Sequence, residues 1–202
     1  MRQIYAYDDI VPVVDPTAFV HETAVIIGDV IIGPDCYIGP GAVLRGDFGR
    51  IRIETGSNVQ ETCVIHSFPN QDVVLEENSH IGHGAILHDC HIAENVLIGM
   101  NAVVMDKAMV GRDCIVGALS FIKAGQVFDR GQMIAGAPAK VLRSLTEDEI
   151  SWKQQGTGVY QTLARIAPEM LQKTAPLECE EENRFRVTAP EHDPLLVARK
   201  TT

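Results

Sequence analysis

Aromatic side chains are scarce, at 5 % of the chain with a single tryptophan, while Ile, Val, Ala and Gly abound. A core of small and β-branched residues suits stacked strands and argues against a helical bundle. Positive charge is also short. Lys and Arg number 17 against 27 Asp and Glu, a formal net charge of -10, which argues against nucleic acid and anionic membrane surfaces as main partners. No apolar run is long enough to span a bilayer, and the opening Met1-Arg2-Gln3-Ile4-Tyr5 has no apolar core of a secretory signal, so a cytoplasmic protein is expected. The five cysteines are an odd number with no Cys-x-x-Cys, which speaks against a disulfide framework and against a structural zinc knuckle. At 202 residues the chain suffices for one domain with a sizeable core.

What is present is a period of six. An aliphatic residue recurs at every sixth position through Val20, Ile26, Ile32, Ile38 and Leu44. The period resumes at Ile53, Val59 and Ile65, again at Leu75, Ile81 and Leu87, and finally from Ile92 through Ile98, Val104, Val110, Val116 and Ile122. Four residues after it the side chain is usually small, as at Ala24, Cys36, Ala42, Cys63, Ala85 and Cys114. Neither a helix, with period 3.6, nor an ordinary strand, with period 2, gives this pattern. One short strand and one turn per six residues does, and three such units close a triangular coil. The expectation is an all-β parallel β-helix, a triangular prism with aliphatic residues inside and Cys36, Cys63 and Cys114 as small interior residues. The register breaks at Leu44 to Ile53, at Ile65 to Leu75 and at Leu87 to Ile92. Insertions in a repeat gather on one face, often the working face.

The expected layout is a lead-in over 1–17, the β-helix over 18–127, a turn and linker over 128–145, a C-terminal α-helix over 146–173 packed along the prism, and a charged, loosely ordered tail over 174–202. Thr146 with Glu149 forms a capping box for the helix. Interruption is expected near Gly156 and Gly158, and a bend or stop at Pro168.

Counting strands around the coil places the histidines. Ile65 and Leu87 are three strand positions apart and stack on one edge, so His66 and His88, each one residue later, stack too, and Arg45 joins their column. His83 follows Ile81 and lies one face earlier, a triangle side away, about 15 Å. It therefore completes a site with His66 and His88 only if it comes from another chain, as in a trimer whose three-fold axis runs parallel to the prism. Gln60 and Glu61, on the rung below, accompany His83. Three histidines with an open fourth position is the arrangement of a catalytic zinc site, which lowers the pKa of bound water to about 7. His80 and His91 lack such partners and read as structural or solvated; His21 and His192 lie outside the cluster.

Arg45-Gly46-Asp47, Asn58-Val59-Gln60-Glu61, His66, and His83 with His88 five residues later resemble the gamma-class carbonic anhydrase superfamily. The resemblance implies a left-handed coil and metal ligation at trimer interfaces by His66, His83 and His88. It also implies an intersubunit ion pair from Arg45 and Asp47, and a bond from Gln60 to the metal-bound solvent. Glu61 stands where that family usually has Asp, and the loop from His66 to Asp72 lacks an acidic extension. Arg45 to Ile51, His66 to Asp72, and Trp152-Lys153-Gln154-Gln155-Gly156-Thr157 with Tyr160-Gln161 are closer to the branch that contains the phenylacetic acid degradation protein PaaY and the carnitine operon protein CaiE. That branch implies a metal-dependent thioesterase of coenzyme A esters, phenylacetate catabolism included, or an accessory protein of CoA-linked catabolism, with Tyr160 reaching the cleft from the helix. The metal is expected to be zinc, with iron or cobalt possible. For hydrolysis the expectation is that the metal would supply an activated water and, with Gln60, stabilise the developing oxyanion, with Glu61 as base or orienting the solvent. The alternatives are hydration of CO₂ to bicarbonate, metal-free acyl transfer with a histidine base, and a binding role with a vestigial metal.

Overall fold

The computed structural model describes residues 3–188 and 192–195. Most six-residue units form a strand of two or three residues, Val25–Ile32 and Val43–Ile53 run on through a corner, and the strands of the prism pair in parallel from coil to coil. On one face the register runs Ile38 to Val59, Val59 to Ile81, Ile81 to Ile98, Ile98 to Val116 and Val116 to Ile134. A second face stacks Val25–Ile27, Val43–Arg45, Val64–His66, Ile86–His88, Val103–Val104 and Phe121–Ile122. The third stacks Val13–Val14, Val30–Ile32, Ile51–Ile53, Val73–Leu75, His91–Ile92, Met109–Val110 and Val127–Phe128. The result is a parallel β-solenoid of about seven turns with one C-terminal helix.

Inside the prism the periodic residues are fully buried, among them Ile26, Ile38, Leu44, Ile65, Ile81, Leu87 and Ile98. The small position does more than fill space. Cys36 Sγ donates to Glu54 O at 3.1 Å, Cys63 Sγ to Gly82 O at 3.2 Å and Ser57 Oγ to Glu76 O at 3.0 Å, so each ties its corner to the next coil. Burial pushes the Cys36 thiol up to about 12 and that of Cys63 to about 11, which leaves both as inert thiols at neutral pH.

Three expectations change. The lead-in over 1–17 already carries strands: Gln3–Tyr5 pairs with Val25–Ile27, and Val13–Val14 opens the third face. The stretch 128–145 holds a hairpin, because Gln132–Gly136 continues the stack and Ala139–Ser144 turns back antiparallel through Gly136 at φ 105°. The helix, Glu147–Met170, runs unbroken through Gly156 and Gly158 and carries Pro168 inside it. Anchors on both sides of the glycines hold it. Lys153 is 1 % exposed, and its Nζ donates to Asn78 O and to Asn95 Oδ1 at 2.9 Å. Gln161 Nε2 donates to Gly56 O and Asn78 Oδ1. The capping box forms as expected, and Arg143 adds a two-pronged bond to the buried Glu149. The helix lies on the first face, against Phe19–Val20, Tyr37–Ile38 and Asn58–Val59. Among the described residues, no helix is long and apolar enough to cross a membrane.

Candidate metal centre

The parallel register sets His66 beside His88 and Arg45 beside His66 on the second face. His66 Nδ1 and His88 Nε2 face each other at 3.1 Å. As drawn this is a hydrogen bond between rings. Two nitrogens on one tetrahedral ion, at metal–nitrogen lengths of about 2.0–2.1 Å, stand about 3.3 Å apart, close to the spacing of these two.

The other nitrogen of each ring is held by a carboxylate. Asp47 Oδ1 takes His66 Nε2 at 3.0 Å, and Asp106 Oδ1 takes His88 Nδ1. Such carboxylate partners fix ring orientation and tautomer in metal-ligating histidines. Arg45 Nη1 donates to Asp47 Oδ2 at 2.8 Å within the chain. Burial works to raise the Asp47 carboxyl, but the bonds from Arg45 and His66 outweigh it and hold it below the usual range. Burial likewise lowers His66, against the pull of Asp47. Phe48 and Phe68 flank the two rings at 5.3 and 5.0 Å.

His83 stands apart. Its Nδ1 bonds Glu61 Oε2, and its side chain is 48 % exposed against 13 % for His66. Like His66 and His88, it has one ring nitrogen on a carboxylate. Among the described residues, no three of His, Cys, Asp and Glu in one chain gather as a metal site. The two-histidine half-site and the lone His83 are thus separate in a single chain.

Gln60 Nε2 donates to Asn58 Oδ1 at 3.0 Å and meets His80 Nε2 at 2.7 Å. Tyr160, from the helix, stands edge-on to His80 and to Tyr37 at 5.2 and 5.5 Å. Gln60, His80, His83 and Tyr160 line one cavity of about 310 Å³ between prism and helix. Tyr37 lies against Glu61; burial first, then that carboxylate, pushes its phenol up to about 12. Sequence reasoning missed Asp106 as a partner of His88. Its signal was available: Asp106 lies two residues past Val104, one coil above Leu87.

Comparison with known proteins places this fold. The family described as bacterial transferase hexapeptide (six repeats) matches residues 12–46 and 89–124. The carnitine operon protein CaiE of Salmonella agona is 50 % identical over 183 residues, covering 91 % of this chain and 92 % of its own. The chain belongs to the hexapeptide-repeat family, in the CaiE branch. CaiE of Escherichia coli is 48 % identical over 91 % of this chain and 93 % of its own. Among solved structures, a hexapeptide transferase family protein from Anaplasma phagocytophilum is 39 % identical, with a TM-score of 0.78 over 82 % of this chain and 98 % of that one.

Proposed function

We propose that this CaiE-like chain hydrolyses acyl-CoA thioesters at a metal centre shared between the subunits of a homotrimer. One observation carries the reading: His66, His88 and His83 each have one ring nitrogen on a carboxylate, and the remaining nitrogens of His66 and His88 already lie at ligand spacing. His66 and His88 of one subunit with His83 of a neighbour would hold the ion, zinc by the chemistry of the donors, with iron or cobalt as alternatives. When bound, the ion supplies an activated water at neutral pH and a Lewis acid for a carbonyl.

The chain's own residues do the rest. Asp47, Asp106 and Glu61 hold the three rings in one tautomer and orientation. Glu61 is thereby committed to His83 and Tyr37, which favours its orienting role over that of a free base. Gln60 sits on the groove wall. From there its amide would serve a developing oxyanion.

Support for the trimer comes from the second face. Its outward residues Val64, Ile86 and Phe121 are 39 %, 43 % and 38 % exposed and form an apolar stripe beside the half-site, the kind of surface that a neighbouring subunit covers. Support for a thioester over CO₂ comes from the groove under the helix, which a small linear molecule does not need. Acyl transfer is the second reading, favoured by the transferase naming of the Anaplasma protein. The test is free-thiol release from a panel of acyl-CoA esters, with and without chelator. Metal-dependent release, lost by at least about a hundredfold in His83→Ala, supports hydrolysis. Release that needs an acceptor and ignores the chelator would replace it with acyl transfer. No release alongside CO₂ hydration would replace it with carbonic anhydrase.

A further inference from the structure

The helix carries the chain's single tryptophan, Trp152. Its indole stacks on His192, with ring centroids 5.1 Å apart and planes at 24°. Trp152 Nε1 donates to Asp193 O at 2.7 Å. One turn along the helix is Gly156, where a Cβ would lie 2.8 Å from His192 Nε2. Glycine inside a helix is unfavourable against alanine; here it opens the notch that the imidazole fills. The same segment brings Leu195 onto the wall of the cavity that holds Gln60, His80, His83 and Tyr160. A second cavity of about 370 Å³ adjoins it, sharing His80, Leu97, Trp152 and Tyr160, with His192 on its wall. Together they form one groove, largely apolar in its walls, with His83 on it.

We propose that this groove seats the apolar acyl arm of the ester, and that His192–Leu195 is a stand-in which the arm displaces. The proposal rests on the thioesterase reading and names its substrate class: esters with an aliphatic arm longer than acetyl. Leu195 shows the kind of side chain the groove accepts. Among the described residues the segment is held by one stacked ring, one hydrogen bond to its backbone and the contacts of one leucine, few enough for a ligand to lift it. An acetyl arm leaves the segment in place. A longer arm competes for its space, and its apparent affinity falls by the fraction of time the groove is open.

The test uses non-hydrolysable methyl and octyl thioethers of CoA with the metal-loaded full chain, with a chain ending at Thr188 and with Gly156→Ala. Trp152 emission and affinity are read together. Truncation and Gly156→Ala should both move the emission to one new position. The octyl thioether should move the full chain to that same position, and the methyl thioether should not. Octyl affinity should rise on the order of tenfold on truncation, with methyl affinity unchanged. Emission unmoved by truncation, or octyl affinity unchanged by it, would overturn the proposal. Displacement by the octyl thioether with no thiol release from any ester would overturn hydrolysis and keep the groove. Thiol release with emission unmoved throughout would do the reverse.

Discussion

His80 and His83 stand three residues apart and meet opposite surroundings. His83 points out at a corner, beside Glu61. His80 packs under Tyr160 against Gln60, its Nδ1 buried with no hydrogen-bond partner among the described residues. Burial pushes its pKa down to about 3, with Lys153 and His83 adding to the effect. The unfolded chain protonates His80 below about 6.5, and the folded one stays neutral down to about 3. The unfolded state therefore binds more protons in that window, and stability is lost as pH falls through it, by at most about 1.4 kcal/mol per pH unit from this group. Urea unfolding at pH 7 and pH 5 should show a shallower loss in His80→Gln than in the parent. Equal losses would contradict the neutral, buried state of His80. The reading of His80 as structural or solvated came from its lack of a column partner; which of the two holds depends on the helix above it, and the six-residue period says nothing about where that helix lies.

At the scale of the element, most corners turn on the third residue after the core aliphatic, and there that residue has positive φ. Glycine, Asn or Asp fills the position at Gly41, Gly56, Gly84, Asn78, Asn95, Asn101, Asp35 and Asp113, the residues for which left-handed backbone costs least. The aliphatic column and the small interior residues were legible because burial repeats with the coil. The turn rule was legible too at these positions, and blurred at Thr62, Lys107 and Leu119, which adopt φ of 59°, 55° and 59° because the coils above and below fix the backbone. Leu119 is 72 % exposed, so its side chain offsets little of the strain. Leu119→Asn should stabilise the fold by about 1 kcal/mol, raising Tm by roughly 2–4 °C for a chain of this size. A lowered Tm would mean that the leucine is covered by another surface. The hairpin over 132–144 escaped the sequence reading for a different reason. Its returning strand, Ala139–Ser144, is antiparallel and mostly exposed, so it carries neither the period nor an apolar pattern.

For the whole molecule, the half-site of His66 and His88 could be derived by counting strands, since parallel stacking converts sequence spacing directly into neighbours. The carboxylates behind the rings came from a further coil and from the long strand Val43–Ile53, whose extra residues carry Asp47 around the corner. The proposed shared centre would make the assembly part of the chemistry. Replacing Ile86 by Asp on the apolar stripe should split the trimer in sedimentation and release the metal together, without unfolding the prism, because the side chain points outward. A monomer that keeps its metal would contradict the shared site.

The most direct measurement mixes two inactive proteins. His83→Ala keeps the half-site, and His88→Ala keeps the lone histidine. Unfolded together in equal amounts, refolded with metal and assayed for thiol release, they should regain activity, since random assortment leaves about a quarter of the interfaces with every ligand intact. Each variant refolded alone should stay inactive. Activity that remains absent in mixtures shown to contain mixed trimers would contradict a centre built from two chains.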